Sequence, residues 1–183
     1  NFILGNEVFE FENRFSKFCG SKYAISCSNG TDAITLALLS LNLNKNSEVI
    51  LPAMTYASTF YAIINAGLKP VLVDINSENP LINIDQIKKK ITKKTKVIIP
   101  VHLYGSVVDI ALLRKQISKK IFIVDDCAQA HGAKFTNKKR VGGDNISDIS
   151  TFSLYPGKNL GAYGDAGIIT TNSKKKYEFI KKL

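Results

Sequence analysis

A lysine, a pair of adjacent aspartates and two groups of small hydroxyl residues are where this sequence could do chemistry. Lys158 stands apart from the lysine clusters, after Tyr155-Pro156-Gly157 and before Asn159-Leu160-Gly161. An apolar, confined setting there would lower its pKa and free the neutral amine for Schiff-base chemistry. A surface lysine is the plainer reading. Asp125 and Asp126 close the apolar run Ile123-Val124, and successive strand residues point to opposite faces. A carboxylate at a buried strand end must meet a cation or hydrogen-bond donors. A protonated ring nitrogen of a cofactor would serve; capping of a following helix by Asp126 is the alternative.

The hydroxyl groups suit an anion. Ser26-Cys27-Ser28-Asn29-Gly30-Thr31-Asp32 lies between an apolar run and a helical pattern. Free N–H groups at a helix start, together with the helix dipole, accommodate phosphate. Gly30 would allow close approach, Thr31 could donate, and Ser153 could reach the same group. A simple N-cap explains the segment equally well. Asn29-Gly30-Thr31 also fits a glycosylation sequon, read here as accidental. Tyr56, in Pro52-Ala53-Met54-Thr55-Tyr56, could stack on a planar ligand, with core packing as the alternative.

These residues need elements to hold them. Short β-type runs recur at Tyr23-Ala24-Ile25, Val49-Ile50-Leu51, Val71-Leu72-Val73, Val97-Ile98-Ile99, Ile121-Phe122-Ile123-Val124, Ile149-Ser150-Thr151-Phe152 and Ile168-Ile169-Thr170-Thr171. Most are continuously apolar, as strands buried on both faces are. Between them, Val8, Phe11, Phe15 and Phe18 form a helical stripe that stops at Gly20. Ile34, Ala37, Leu38 and Leu41 form a second, covered on most sides because Leu36, Leu39 and Leu43 are apolar too. Asp85 and Asp109 are expected to start two more helices. Strands alternating with helices at this spacing predict one α/β domain with a largely parallel sheet of about seven strands. Ligands then belong at the carboxyl ends of those strands.

Bulk composition excludes several classes. At 183 residues, 45% hydrophobic and 22% charged, the chain can bury a core and is not expected to be disordered. No apolar run approaches the roughly 20 residues that cross a bilayer. The opening residues Asn1 to Asn6 lack a basic region and a cleavage site, so no signal peptide is read there. Cys19, Cys27 and Cys127 are too scattered for a disulfide framework or a zinc site, which favours a reducing, cytoplasmic setting and no metal. The net charge of +10 rests on lysine, with only Arg14, Arg114 and Arg140 besides. Nucleic-acid binding would favour arginine forks and interleaved aromatics, so the charge reads as solvated faces.

Together the motifs closely resemble the DegT/DnrJ/EryC1/StrS family of pyridoxal-phosphate-dependent sugar aminotransferases. The resemblance rests on Ser28-Asn29-Gly30-Thr31-Asp32-Ala33, Pro100-Val101-His102-Leu103-Tyr104-Gly105, Asp126-Cys127-Ala128-Gln129-Ala130-His131-Gly132 and Phe152-Ser153-Leu154-Tyr155-Pro156-Gly157-Lys158-Asn159-Leu160-Gly161, in the family's order from about Ile3 onward. It implies the aspartate-aminotransferase fold, fold type I, with residues 1–183 forming the cofactor-binding large domain. The extreme N-terminus and the smaller C-terminal domain would lie outside this chain.

The resemblance also implies roles. Lys158 would bind pyridoxal 5'-phosphate covalently and shuttle the proton between cofactor and substrate. Asp126 would pair with the pyridinium nitrogen, Gln129 would lie near the ring hydroxyl and Tyr56 would stack on the ring. Gly30, Thr31 and Ser153 would form the phosphate cup. The implied reaction moves an amino group, usually from glutamate, to a keto group of a nucleotide-linked sugar, for surface polysaccharide or deoxyamino-sugar synthesis. Members that dehydrate their sugar carry His instead of the lysine, so Lys158 argues for transamination. The stretch around Lys158 looks most like members that aminate the 3-keto position of dTDP-linked 6-deoxy sugars, and 4-keto relatives are similar there. Asp125 stands where Glu is usual, Cys127 for Ala and Ala166 for Gly. The family implies a homodimer with active sites at the interface, so this chain alone is expected to be inactive or poorly stable. A non-catalytic binding or regulatory protein on the same fold is the alternative. His102 and His131 are read as hydrogen-bonded structural residues.

Overall fold

Seven short aliphatic runs pair into a single sheet in the computed structural model, which describes residues 5–183. The expectations placed on Asn1 to Leu4 lie outside the described residues. The strands are β1 (Tyr23–Cys27), β2 (Glu48–Pro52), β3 (Lys69–Val73), β4 (Thr95–Ile98), β5 (Phe122–Asp126), β6 (Ile149–Ser153) and β7 (Gly167–Thr171). They lie in the order β1-β7-β6-β5-β4-β2-β3. Only β7 runs against its neighbours; the remaining pairs are parallel. Because β7 is antiparallel to both β1 and β6, β1 shares the direction of the others. Six carboxyl ends therefore share one edge.

Helices α1 (Asn6–Cys19), α2 (Gly30–Leu39), α3 (Ala57–Asn65), α4 (Ile84–Lys90), α5 (Ile110–Gln116) and α6 (Lys174–Ile180) cover the two faces. The period-2 geometry of the strands sorts the core. Val49, Leu51, Val97, Val124, Ile149 and Ile169 pack with Ala33, Ala37 and Leu38 of α2, Ile63 of α3 and Ile180 of α6. Their neighbours Ile50, Ile98 and Ile123 turn the other way, onto Ile87 of α4 and Ile110 and Leu113 of α5. At the β1 side of that second face, Phe15 of α1 meets Phe152 edge-on at 5.0 Å. Gly20 ends α1 with φ +87°, a left-handed conformation in which Gly20 and Ser21 both donate to the Ser16 carbonyl.

One helix expectation needs correction. The third predicted helix starts before Asp85, because Asn83 is its cap and accepts from the Gln86 N–H at 3.1 Å. Two further helices were not anticipated. In α3 the buried positions Thr59, Ala62 and Ile63 do follow helical spacing, but the surrounding Phe60, Tyr61 and Ile64 obscure it. In α6 the Lys run hides the docking residues: Ile180 is buried, and Tyr177 stacks on Tyr23 at 4.7 Å. Asp109 caps α5 as expected, accepting from Leu112. Among the described residues no helix is long and apolar enough to cross a membrane.

Candidate active site

The free edge of the sheet carries a cavity of about 600 Å3. Gly30, Thr31, Tyr56, Asp126, Gln129, Ser153 and Lys158 all line it, so residues 128 positions apart in sequence converge. The topology explains this. Asp126 and Ser153 end the parallel neighbours β5 and β6. Gly30 begins the helix that follows β1, and Tyr56 precedes the helix that follows β2.

Asp126 is 5% exposed. It has the strand parity of Val124, which directs it to the α2 and α3 side. Its Oδ2 accepts from the Thr59 hydroxyl at 2.8 Å and its Oδ1 from the Ala128 N–H at 3.1 Å. Burial pushes its carboxyl above the ordinary range, with those two donors and the Lys158 charge working against the shift. Turns, not a helix, follow β5, so the helix-capping alternative for Asp126 fails. Asp125 faces away, receiving the Ser147 hydroxyl at 2.6 Å. The adjacent carboxylates thus serve opposite faces of the sheet.

The N-terminus of α2 forms another wall. Asn29 caps it through Oδ1, which accepts from Asp32 N–H at 2.8 Å; its side chain is committed to that cap. Gly30 and Thr31 open the helix, where N–H groups have no intrahelical acceptor. A Cβ on Gly30 would sit 2.6 Å from the Ser153 Cβ, so only glycine lets this backbone meet β6 so closely. The Thr31 hydroxyl donates to Ser58 Oγ at 2.9 Å, which passes the donor role on to Ser58. The Ser153 Oγ accepts from Tyr155 N–H at 3.4 Å and keeps its own proton for the cavity.

Lys158 sits in the turn after β6, where its N–H donates to the Tyr155 carbonyl at 2.9 Å. It is half-buried and shares the wall with Asp126 and Asp165, so the expected apolar confinement is not its setting. Tyr56 is 74% exposed, which removes the core-packing alternative. Gln129 Oε1 accepts from the Tyr104 N–H at 2.8 Å, leaving its amide protons for the cavity.

Several lining or supporting residues escaped sequence reasoning, among them Thr59, Ser58 and Asp165. Thr59 lies one helical turn beyond Thr55, whose hydroxyl it meets at 2.8 Å; recognising α3 would have pointed to it. His102 is a buried structural histidine, its Nδ1 accepting from Val108 N–H at 3.1 Å. His131 departs from expectation: both ring nitrogens are buried without a hydrogen-bond partner. Burial depresses its pKa, as does the Lys158 charge, while the Ser153 backbone opposes them.

An amine and a buried carboxylate at the carboxyl edge of a mostly parallel sheet, beside a glycine-opened helix, define the class: an α/β protein whose strand-end cavity offers a cation, an anion and free backbone N–H groups together. The chain belongs to the DegT/DnrJ/EryC1/StrS aminotransferase family, which it matches over residues 1–183. It is 46% identical over 93% of its length to the dTDP-3-amino-3,6-dideoxy-alpha-D-galactopyranose transaminase of Aneurinibacillus thermoaerophilus. Among solved structures it is similar to Streptomyces venezuelae DesV, with a TM-score of 0.94, 37% identity and 98% of this chain covered. It is also similar to Bacillus subtilis NtdA with bound cofactor PMP, with a TM-score of 0.88, 36% identity and 96% of this chain covered. The chain spans 47% of the first of these relatives, 48% of the second and 39% of the third.

Proposed function

We propose that this chain is the cofactor-binding part of a cytoplasmic, pyridoxal-phosphate-dependent aminotransferase that aminates a keto group on a nucleotide-linked sugar. The observation that carries the reading is the convergence of Lys158 and Asp126 on one cavity that also contains the α2 N-terminus. The residues fit the cofactor chemically. Asp126 is a buried carboxylate that a cationic ring nitrogen would compensate. The close Gly30–Ser153 approach leaves a cradle of backbone N–H and hydroxyl donors suited to phosphate.

When bound, pyridoxal phosphate supplies the electron sink for chemistry at the carbon next to nitrogen. The chain does the rest. Asp126 holds the proton on the ring nitrogen, fixed in place by Thr59 and Ala128. Gly30, Thr31, Ser58 and Ser153 would hold the phosphate, Tyr56 would stack on the ring and the Gln129 amide would donate to its hydroxyl. Lys158 would hold the cofactor through its side-chain amine, and the same Nζ would serve as the base that moves a proton. Glutamate is the proposed donor. The similarity to a 3-amino-sugar transaminase supports a dTDP-linked 3-keto sugar as acceptor. The full-length protein is proposed to be a homodimer whose partner completes the site.

The test uses the full-length protein. Borohydride reduction after adding pyridoxal phosphate should fix the cofactor on the peptide containing Lys158, and Lys158→Ala should abolish that label and all turnover. A label that survives the substitution rejects the assignment. Turnover of glutamate with 3-keto against 4-keto nucleotide sugars then decides the acceptor.

A further inference from the structure

Behind the cavity, a second set of contacts ties its wall together. His102 is fully buried and sits where the chain leaves β4. Its backbone N–H donates to the Asp126 carbonyl at 3.0 Å, and the Asp126 N–H donates to the Pro100 carbonyl at 2.9 Å. The imidazole reaches across the adjoining loop to its far end. Nδ1 accepts there from Val108 N–H at 3.1 Å, so the neutral ring carries its proton on Nε2, 3.6 Å from Asp125 Oδ2. Phe135 packs edge-on against it at 5.8 Å. The segment pinned between His102 and Val108 contains the 3-10 turn Leu103–Gly105.

That turn is strained. Tyr104 has φ +55° although it is not glycine, and Gly105 comes next at φ +81°. A bulky side chain in the left-handed region costs free energy, so the surroundings must enforce the conformation. The Tyr104 side chain does not do so, being 70% exposed. The turn is held by the buried Leu103 and by the Ser106 N–H on the Leu103 carbonyl at 3.0 Å, and its two ends by the contacts of His102. What the conformation achieves is to aim the Tyr104 N–H at Gln129 Oε1, 2.8 Å away.

We infer that His102 is a positioning residue. By clamping both ends of the 102–108 segment, it holds Tyr104 in its strained conformation and thereby fixes the Gln129 amide toward the bound ring. The titratable groups around the imidazole are Asp125 and Cys127 from β5 and its end, with Asp144 close to Asp125 from the loop before β6. The inference rests on the proposal that this cavity holds pyridoxal phosphate.

The experiment is a double-mutant cycle in the full-length protein, read by pyridoxal phosphate affinity and by the cofactor's absorption band. Gln129→Ala and His102→Leu should each weaken affinity about 10-fold, the worth of one hydrogen bond, and move the band alike. The double variant should be no weaker than Gln129→Ala alone. His102→Asn, which retains an acceptor for the Val108 N–H, should stay within about 2-fold of wild type. If His102→Leu does not fold, His102→Gln replaces it in the cycle, since its amide overshoots the Nδ1 position. Additive losses, or a lowered melting temperature with affinity and band unchanged, overturn the inference. A wild-type protein that shows no cofactor band rejects the cofactor reading itself, and the inference with it.

Discussion

Asp126 shows how a buried carboxyl at a strand end opposes stability. Burial raises its carboxyl above the unfolded value of 3.8, so without cofactor folding disfavours the carboxylate relative to the neutral acid. For a group raised on folding, the stabilisation is fully present below the unfolded pKa and is lost as pH rises through the folded one. Asp126→Asn mimics the neutral acid. In cofactor-free protein it should therefore melt higher than wild type at pH 7, and the difference should shrink towards pH 4. The same variant should bind pyridoxal phosphate poorly and turn over at a small fraction of the wild-type rate. Paired melting curves at both pH values and a cofactor titration check both outcomes. The cysteines are raised too: burial pushes Cys19 and Cys27 up to about 12 and Cys127 well above its ordinary value, which disfavours the thiolate at all three free thiols.

At the scale of elements, the contact between α2 and β6 sets the anion cradle. Alanine is the better helix former at Gly30 by up to about 1 kcal/mol. Forcing a Cβ to 2.6 Å from Ser153 costs about 1–3 kcal/mol, so overpacking wins. Gly30→Ala should lower stability in urea titration and weaken phosphate and cofactor binding together. Adding Ser153→Gly removes the clashing Cβ and should restore stability, but not anion affinity, because a hydroxyl donor has gone. Restored binding in that double variant would show that Ser153 contributes only bulk.

Across the whole molecule the lysines do not form one surface. Lys88, Lys89 and Lys90 end α4 on one face of the sheet, while Lys174, Lys175 and Lys176 open α6 on the other. Lys176 is already paired with Asp148 at 3.1 Å. These two runs lie on opposite faces and cannot follow one phosphate backbone together, so gel-shift titration near 0.15 M salt should show no retained DNA or RNA complex; a stable shift would restore the nucleic-acid reading. The same contrast between local and distant information separates what the sequence determines from what it leaves open. Strand positions were legible because most core strands contain short runs of β-branched and other apolar residues, and α1, α2 and α5 because their apolar stripes or caps are local. Six of the seven cavity residues were legible because their segments follow strands, where parallel topology sends ligands; Gln129 came only from the family resemblance of its motif. Left to tertiary structure were α3 and α6, whose helical faces are masked by apolar or lysine neighbours and are chosen by docking. So too were the partners that belong to no local pattern: Thr59 beneath Asp126, Ser58 beside Thr31, and His102 behind the strained Tyr104 turn. A sequence records which groups can hydrogen-bond, but their pairing depends on which strand ends and helix starts the sheet order makes neighbours.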